Sequence, residues 1–416
     1  MRFVLILIIS ISLNAGNLGQ ILNNLKNYEP LVAKDLQTKS ALAKKDEVFY
    51  KYLPSVSIEG NYIDFAKDRL VILPKHTMSA SLVVEALLYD GARYSNIKLA
   101  SKNYELNQFE LQKSKNEAEF NLVKLYYTYL ALDDNIEYKK KNIEYLNASL
   151  DRLSKLTDVG LKPIDELEIF RARVELEKIE LEQFLHNKNE ILSKIYLMTN
   201  EKITPLKGSF IEYNLQDSNS IDVKINEIKV NMSELNKNAA YSEFLPKIFI
   251  KNMTILSKSK YDFSEFGALE PLINQKIKEK MTSNIFMIGF KWNLFSFGAD
   301  KKHLESARLE SLAAKQMLNY SKRLNEENIK LQIQEIDILN KEIKANEARV
   351  KASENAFNSI LKKYEAGLLG YVEYLNAMEL NYAANAALSL AKSKLEISKS
   401  KLLLELGNKI SESVRN

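Results

Sequence analysis

Two stretches of this chain, residues 92–159 and 299–366, contain neither glycine nor proline, and each is 68 residues long. Glycine and proline are the strongest punctuation a chain has, so each stretch reads as one uninterrupted element. Each begins after a glycine (Gly91, Gly298) and ends at one (Gly160, Gly367). The closing glycines lie 207 residues apart; each is followed by a leucine (Leu161, Leu368) and, six residues on, by a glutamate (Glu166, Glu373). A chain that carries its main feature twice at a fixed interval is internally duplicated.

Within the first stretch Leu122, Leu125, Tyr129, Leu132, Ile136, Ile143, Leu146, Leu150 and Leu153 follow heptad steps, interrupted once, at Lys139. In the second, Ile336, Leu339, Ile343, Val350, Phe357, Ile360 and Tyr364 keep the same spacing. Sustained 3.5-residue periodicity means packing along a supercoil against another helix. At 1.5 Å per residue such a helix is roughly 100 Å long. It cannot bury its stripe on a compact core and must lie beside helices of similar length, which 164–198 and 371–406 supply. A tight turn at Gly160 or Gly367, where glycine takes the left-handed conformation that ends a helix, folds the chain back into an antiparallel hairpin. Asp165 and Glu166, behind Pro163, suit the first turn of the returning helix.

Ahead of each long helix the period changes from 3.5 to two. In "LPSVSIEGNYIDF" (53–65) Val56, Ile58 and Tyr62 point one way and Ser57, Glu59 and Asn61 the other. In "MSASLVVEALL" (78–88) Leu82 and Val84 share a face with Met78 and Ala80. The second half repeats the pair as "FLPKIFIKNMTI" (244–255) and "NIFMIGFKWNLF" (284–295), where Phe286, Ile288, Phe290 and Trp292 share a face. These read as strands 54–65, 78–88, 246–255 and 284–295, each with one apolar side. Their lengths match what a tilted strand needs to cross a bilayer. Four strands cannot close a barrel, and lipid does not tolerate open sheet edges, so membrane-spanning strands would require several chains to share one barrel.

The remaining composition excludes more than it suggests. The net charge of +5 comes from 59 basic and 54 acidic residues that are interspersed, so no basic face for nucleic acid is indicated. There is no cysteine, and the histidines (His76, His186, His303) are scattered. No phosphate-binding loop or nucleophile motif is visible. The chain reads as neither an enzyme nor a cofactor or metal protein. "MRFVLILIISISLNAG" has a basic start, an apolar run from Phe3 to about Leu13 and small residues at Ala15–Gly16, so residues 1–16 read as a secretory signal peptide.

Taken together the chain resembles the TolC family of bacterial outer-membrane efflux channels. The resemblance rests on the duplication, on "YLPSVSIEGNY", on the junction "LLYDGAR" (87–93) with its weaker copy "NLFSFGADK", on the first tip "VGL" (159–161) and on the second tip "KYEAGLLGYVEYLNA". It implies a mainly α fold with a small β part. Long antiparallel coiled-coil helices would build a trimeric periplasmic α-barrel, and four strands per chain would enter a shared twelve-stranded transmembrane β-barrel. After the signal, 17–208 would be the first structural repeat (long helix 91–159, tip 159–163, return helix 164–198). Residues 209–407 would be the second (long helix 298–366, tip 367–370, return helix 371–406), and 408–416 a C-terminal tail.

The implied function is the exit duct of a tripartite efflux system exporting small molecules, working as a homotrimer with a periplasmic adaptor (membrane fusion) protein and an inner-membrane pump. An exit duct for protein secretion is the alternative within transport, and a non-channel periplasmic adaptor or tether is the alternative outside it. By the same resemblance Glu373, Tyr364 and Glu166 would form the gate at the entrance. Val159, Gly160, Leu161, Gly367 and Leu368 would be the adaptor-contact tips. Val56, Ile58, Tyr62, Leu82, Val84, Phe286, Ile288, Phe290 and Trp292 would face lipid. Leu369 stands where some members carry an arginine of the closing network, Asn376 replaces a second acidic residue, and Lys162 is a candidate for the missing charge.

Overall fold

The computed structural model describes residues 14–65, 73–215, 220–263, 267, 271–273 and 277–415. The apolar run expected to be a signal lies outside them. In chain order the elements are β1 (Asn14–Gly16), α1 (Leu18–Asn23), α2 (Glu29–Tyr50), β2 (Ser55–Asp64), β3 (His76–Tyr89), α3 (Arg93–Asp158) and α4 (Ile164–Thr199). There follow β4 (Ile203–Pro205), β5 (Phe210–Ile211), α5 (Ile221–Tyr241), β6 (Lys247–Lys260), β7 (Lys280–Lys291), α6 (Ala299–Glu365), α7 (Tyr371–Leu406) and β8 (Val414–Arg415). The protein is mainly α, with each glycine- and proline-free stretch folded as one helix. Among the described residues no helix is long and apolar enough to cross a membrane. Contacts divide the chain into one unit of residues 1–36, 109–225 and 319–416 and a second of 37–108 and 226–318.

In the first unit the heptad seams are the cores. Leu122, Tyr129, Ile136, Leu146 and Leu153 of α3 are buried, as are Ile336, Leu339 and Phe357 of α6. The one interruption, Lys139, is also buried, only 2% exposed, and it is filled by charge rather than by apolar packing. Its Nζ lies 2.6 Å from Glu177 and 2.7 Å from Glu180 of α4, and 4.3 Å from the centre of the Tyr382 ring of α7. Glu177 is bound in turn by Arg173 at 2.9 Å. Burial alone would push the Lys139 pKa down, but the hydrogen bonds and charges of the two glutamates outweigh it and the pKa is raised.

The same unit holds elements that periodicity did not announce. β1 pairs in parallel with β4, and β5 pairs antiparallel with β8. They pack around Leu18, Ile21, Leu122, Tyr126, Ile195 and Ile410. Of residues 408–416, expected as a tail, the described ones, 408–415, instead fold back: Glu119 of α3 accepts hydrogen bonds from the backbone N–H of Ile410 (2.9 Å) and of Ser411 (3.0 Å) and from the Ser411 hydroxyl (2.9 Å). Residues 14–16, placed within the expected signal, form β1.

The second unit carries an antiparallel sheet in the order β2-β3-β6-β7. The register fixes the faces, because residues directly opposite in a ladder point to the same side. Val56 pairs with Val84 and Ile58 with Leu82; Tyr62 pairs with Met78. Val84 is opposite Asn252 and Leu82 opposite Thr254. Asn252 is opposite Phe286, Ile250 opposite Ile288 and Ile248 opposite Phe290. One face therefore collects eight of the nine expected apolar residues, and all eight are exposed. Trp292 lies one residue past β7, which ends at Lys291 rather than at 295; its indole N–H donates to the Phe244 carbonyl at 3.1 Å. β6 and β7 reach further at their other ends than the apolar alternation does, to Lys260 and Lys280, where lysines replace the apolar residues. Gly289 is fixed by packing: a Cβ there would lie 2.6 Å from the Phe249 ring opposite.

Candidate functional site at the helical tips

The two hairpin tips are built alike. Gly160 and Gly367 have φ of +73° and +76°. The N–H of Gly160 donates to Thr157 O and that of Leu161 to Leu156 O, both at 2.9 Å; Gly367 donates to Tyr364 O (3.0 Å) and Leu368 to Lys363 O (2.8 Å). This is the Schellman ending, in which the residue after the glycine usually packs back onto its own helix. Here it does not: Leu161 and Leu368 are 71% and 74% exposed, and Val159 is exposed too. Four residues after each glycine a new helix starts, capped by Pro163 for α4 and by Gly370 for α7.

Behind the tips lies an aromatic stack. The Tyr364 and Tyr374 rings are parallel within 6° with centroids 4.7 Å apart, and Phe170 of α4 stacks at 6.3 Å from each. These rings join both hairpins, together with Leu153, Leu167, Phe357 and Met378. Tyr374 is fully buried, and its hydroxyl oxygen accepts from Ser149 of α3 at 3.2 Å. Arg152 of α3 donates to the main-chain carbonyl of Glu365, the last residue of α6. That bond satisfies an orphan carbonyl at a helix C-terminus and places a cation at its negative end. Sequence reading missed Arg152, because a bond to main chain leaves no mark on the partner's identity.

The three residues expected at the gate occupy different environments. Glu166 is buried, 5% exposed, with Lys162 Nζ at 3.1 Å. Glu373 is exposed in the first turn of α7, its carboxylate folded over Gly370, where a Cβ would come within 2.8 Å of it. Tyr364 is half-buried, and no described residue hydrogen-bonds its hydroxyl, so its ring rather than its O–H ties α6 to the stack. Its pKa is pushed up to about 12, first by burial and then by the negative charge of Glu166. Among the described residues no cluster could hold a metal ion.

Residues 213–408 match the family model described as outer membrane efflux protein. That match covers just under half of the chain. Its fold over nearly its whole length is that of solved outer-membrane proteins. Against the outer membrane protein VceC of Vibrio cholerae the TM-score is 0.79 at 14% identity, covering 94% of this chain and 96% of that one. Against a membrane protein of Pseudomonas aeruginosa it is 0.81 at 17% identity, covering 96% and 92%. Against the CmeC outer membrane channel of Campylobacter jejuni it is 0.80 at 15%, covering 95% and 86%. No curated protein matches the chain in sequence. The family model and these solved structures alike are of outer-membrane proteins.

The raised pKa of Tyr364 gives a prediction. A tyrosine whose folded pKa exceeds its unfolded value of about 10 stabilises the fold fully below that value and loses the contribution as pH rises through the folded pKa. Stability in detergent should therefore fall as pH climbs from about 10 towards 12. The fall should be shallower in Tyr364→Phe, measured by chemical denaturation at each pH. Parallel curves for the two proteins would place the Tyr364 hydroxyl in water.

Proposed function

We propose that three copies of this chain form one duct through the outer membrane, the exit of a tripartite efflux system for small molecules. A single observation carries the reading: among the described residues the sheet β2-β3-β6-β7 has two outer strands without partners and one apolar, exposed face. In lipid every backbone group needs a partner and open edges do not occur. Two copies would give eight strands and three would give twelve; the family supports three. Val56, Ile58, Tyr62, Leu82, Val84, Phe286, Ile288, Phe290 and Trp292 then face lipid.

The tips meet a periplasmic adaptor, which works with an inner-membrane pump. Val159, Leu161 and Leu368 are apolar and exposed on turns whose shape Gly160 and Gly367 set. Glu373 lines the entrance; Glu166, paired with Lys162, lies near Tyr364 behind it. Three Glu373 carboxylates round one axis form an acidic ring of the kind that favours cations.

Single-channel recording of the purified protein in planar bilayers tests both claims. A cation-selective pore blocked by multivalent cations is expected, with selectivity and block weakened in Glu373→Gln. Recovery of the protein as a water-soluble monomer would overturn the duct. Unchanged selectivity in Glu373→Gln would remove this carboxylate from the entrance.

A further inference from the structure

The sheet changes chemistry at the end remote from the helices. α2 leads into β2 at Ser55 and β7 stops at Lys291 ahead of α6, so the helices leave from one end and the hairpins β2–β3 and β6–β7 close the other. At the hairpin end, the face that carries Phe286, Ile288 and Phe290 becomes basic. Met78 is opposite Lys258, Lys258 is opposite Lys280, and His76 is opposite Lys260. All three lysines are exposed. Lys258 and Lys280 stand directly across from each other on one face, and like charges in that position destabilise a ladder. Among the described residues no carboxylate pairs with any of the three. Asp64, which shares the face, is held by His76 at 2.9 Å.

Strand length says where these cations sit. Lys280 is ten residues from Phe290 along β7. At about 3.3 Å per residue and a tilt near 45°, that is roughly 23 Å across the membrane, close to the height of a barrel's apolar band, about 25 Å. With Phe290 and Trp292 at the helical end, the lysines stand at the headgroup level of the outward leaflet. Tyr62 stacks on His76 beside them, ring centroids 6.2 Å apart, as aromatic residues do at that level. Between the row Met78–Lys258–Lys280 and the next outward row, Ala80–Leu256–Thr282, lies a hollow of about 390 Å³. It has cations at one side and Met78, Ala80 and Leu256 along its walls.

We propose that this hollow holds an anionic lipid of the outward leaflet, with its phosphates on Lys258, Lys260 and Lys280 and an acyl chain against Met78, Ala80 and Leu256. The inference rests on the shared-barrel reading and gives that barrel a specific lipid ligand. A zwitterionic headgroup offsets its own phosphate and has no use for three neighbouring ammonium groups. A lipid with two phosphates and no cation matches them. Bound phosphate also relieves the repulsion between Lys258 and Lys280, so lipid binding and strand pairing stabilise each other.

Lipid A, a glycolipid with two phosphates, is the probe. The full-length protein in detergent is titrated with it, and bound lipid is counted by native mass spectrometry for the parent and for Lys258→Gln/Lys260→Gln/Lys280→Gln. A lysine near an anionic membrane surface contributes about fivefold in affinity, so the triple variant should bind roughly 100-fold more weakly. Lys344→Gln/Lys351→Gln/Lys401→Gln removes the same charge from exposed positions on α6 and α7 and should bind like the parent. Lys280→Glu gives Lys258 a partner within the ladder, so its melting temperature should exceed the parent's without lipid A and rise less when lipid A is added. Equal binding by the parent and the first triple variant would overturn the proposal, as would equal losses in both triple variants. Equal binding of dephosphorylated lipid A by the parent would overturn it too. In each of these cases a parent that conducts in planar bilayers keeps the duct reading. A parent that neither forms trimers nor conducts would sink the duct and the lipid site together.

Discussion

Replacing Lys139 by alanine will destabilise the folded protein by about 3–5 kcal/mol, the usual loss when one partner of a buried ion pair is removed. The size follows from what is left behind. Glu177 is 2% exposed and would keep only Arg173, while Glu180, half in water, would lose little. The Tyr382 ring would also lose the cation at its face. Removing both charges is a different experiment. Lys139→Met with Glu177→Met fills the same volume with apolar atoms, and such replacements are often neutral or stabilising. Thermal and urea unfolding in detergent, followed by helical circular dichroism, should rank the proteins parent and double variant above Lys139→Ala. A loss below about 1 kcal/mol for Lys139→Ala, the range of exposed ion pairs, would mean that water reaches the site.

The Lys139 site shows where sequence reading stops. The break in the heptad seam was visible, but a chain in which 27% of residues are charged offers many candidate partners for one lysine. Only the packing of α4 and α7 selects Glu177, Glu180 and Tyr382. The hairpin tips were legible because the left-handed turn is a local requirement that glycine alone meets easily. The strand faces were legible because a period of two fixes them without knowledge of the partner strand. β1, β4, β5 and β8 were not, being two or three residues long, too short for any period to register. The same limit explains residues 408–415, whose folding depends on Glu119, far away in sequence.

The residues expected at the gate divide along the same line. Glu166 and Glu373 occupy equivalent places in the two repeats, yet one is buried and the other exposed. The difference lies in the neighbours. Lys162 of the first tip corresponds, 207 residues on, to Leu369 of the second, so only Glu166 has a cation within its own turn. Leu167 corresponds to Tyr374, so the ring that anchors the stack belongs to the second repeat alone. Duplication gave both tips one backbone; substitution gave them different chemistry.

Tyr374→Ala should have the second large effect, about 3–5 kcal/mol, as for other fully buried aromatic residues cut to alanine. The ring sits between Tyr364 at 4.7 Å and Phe357 at 6.2 Å, with Phe170 at 6.3 Å, so its removal leaves a cavity bounded by rigid rings that cannot close over it. Tyr374→Phe keeps the stack and loses only the bond from Ser149, worth about 1 kcal/mol. The two variants therefore separate packing from hydrogen bonding. They also test whether the stack holds the entrance. Val159, Leu161 and Leu368 gain little from their own helices, so the tips are positioned by what lies behind them: these rings and the Arg152 bond to Glu365. If that is so, Tyr374→Ala will raise the resting single-channel conductance and Tyr374→Phe will leave it near that of the parent. A Tyr374→Ala protein that is less stable but conducts like the parent would separate the stack from the gate and leave Arg152 as the group that sets the tip.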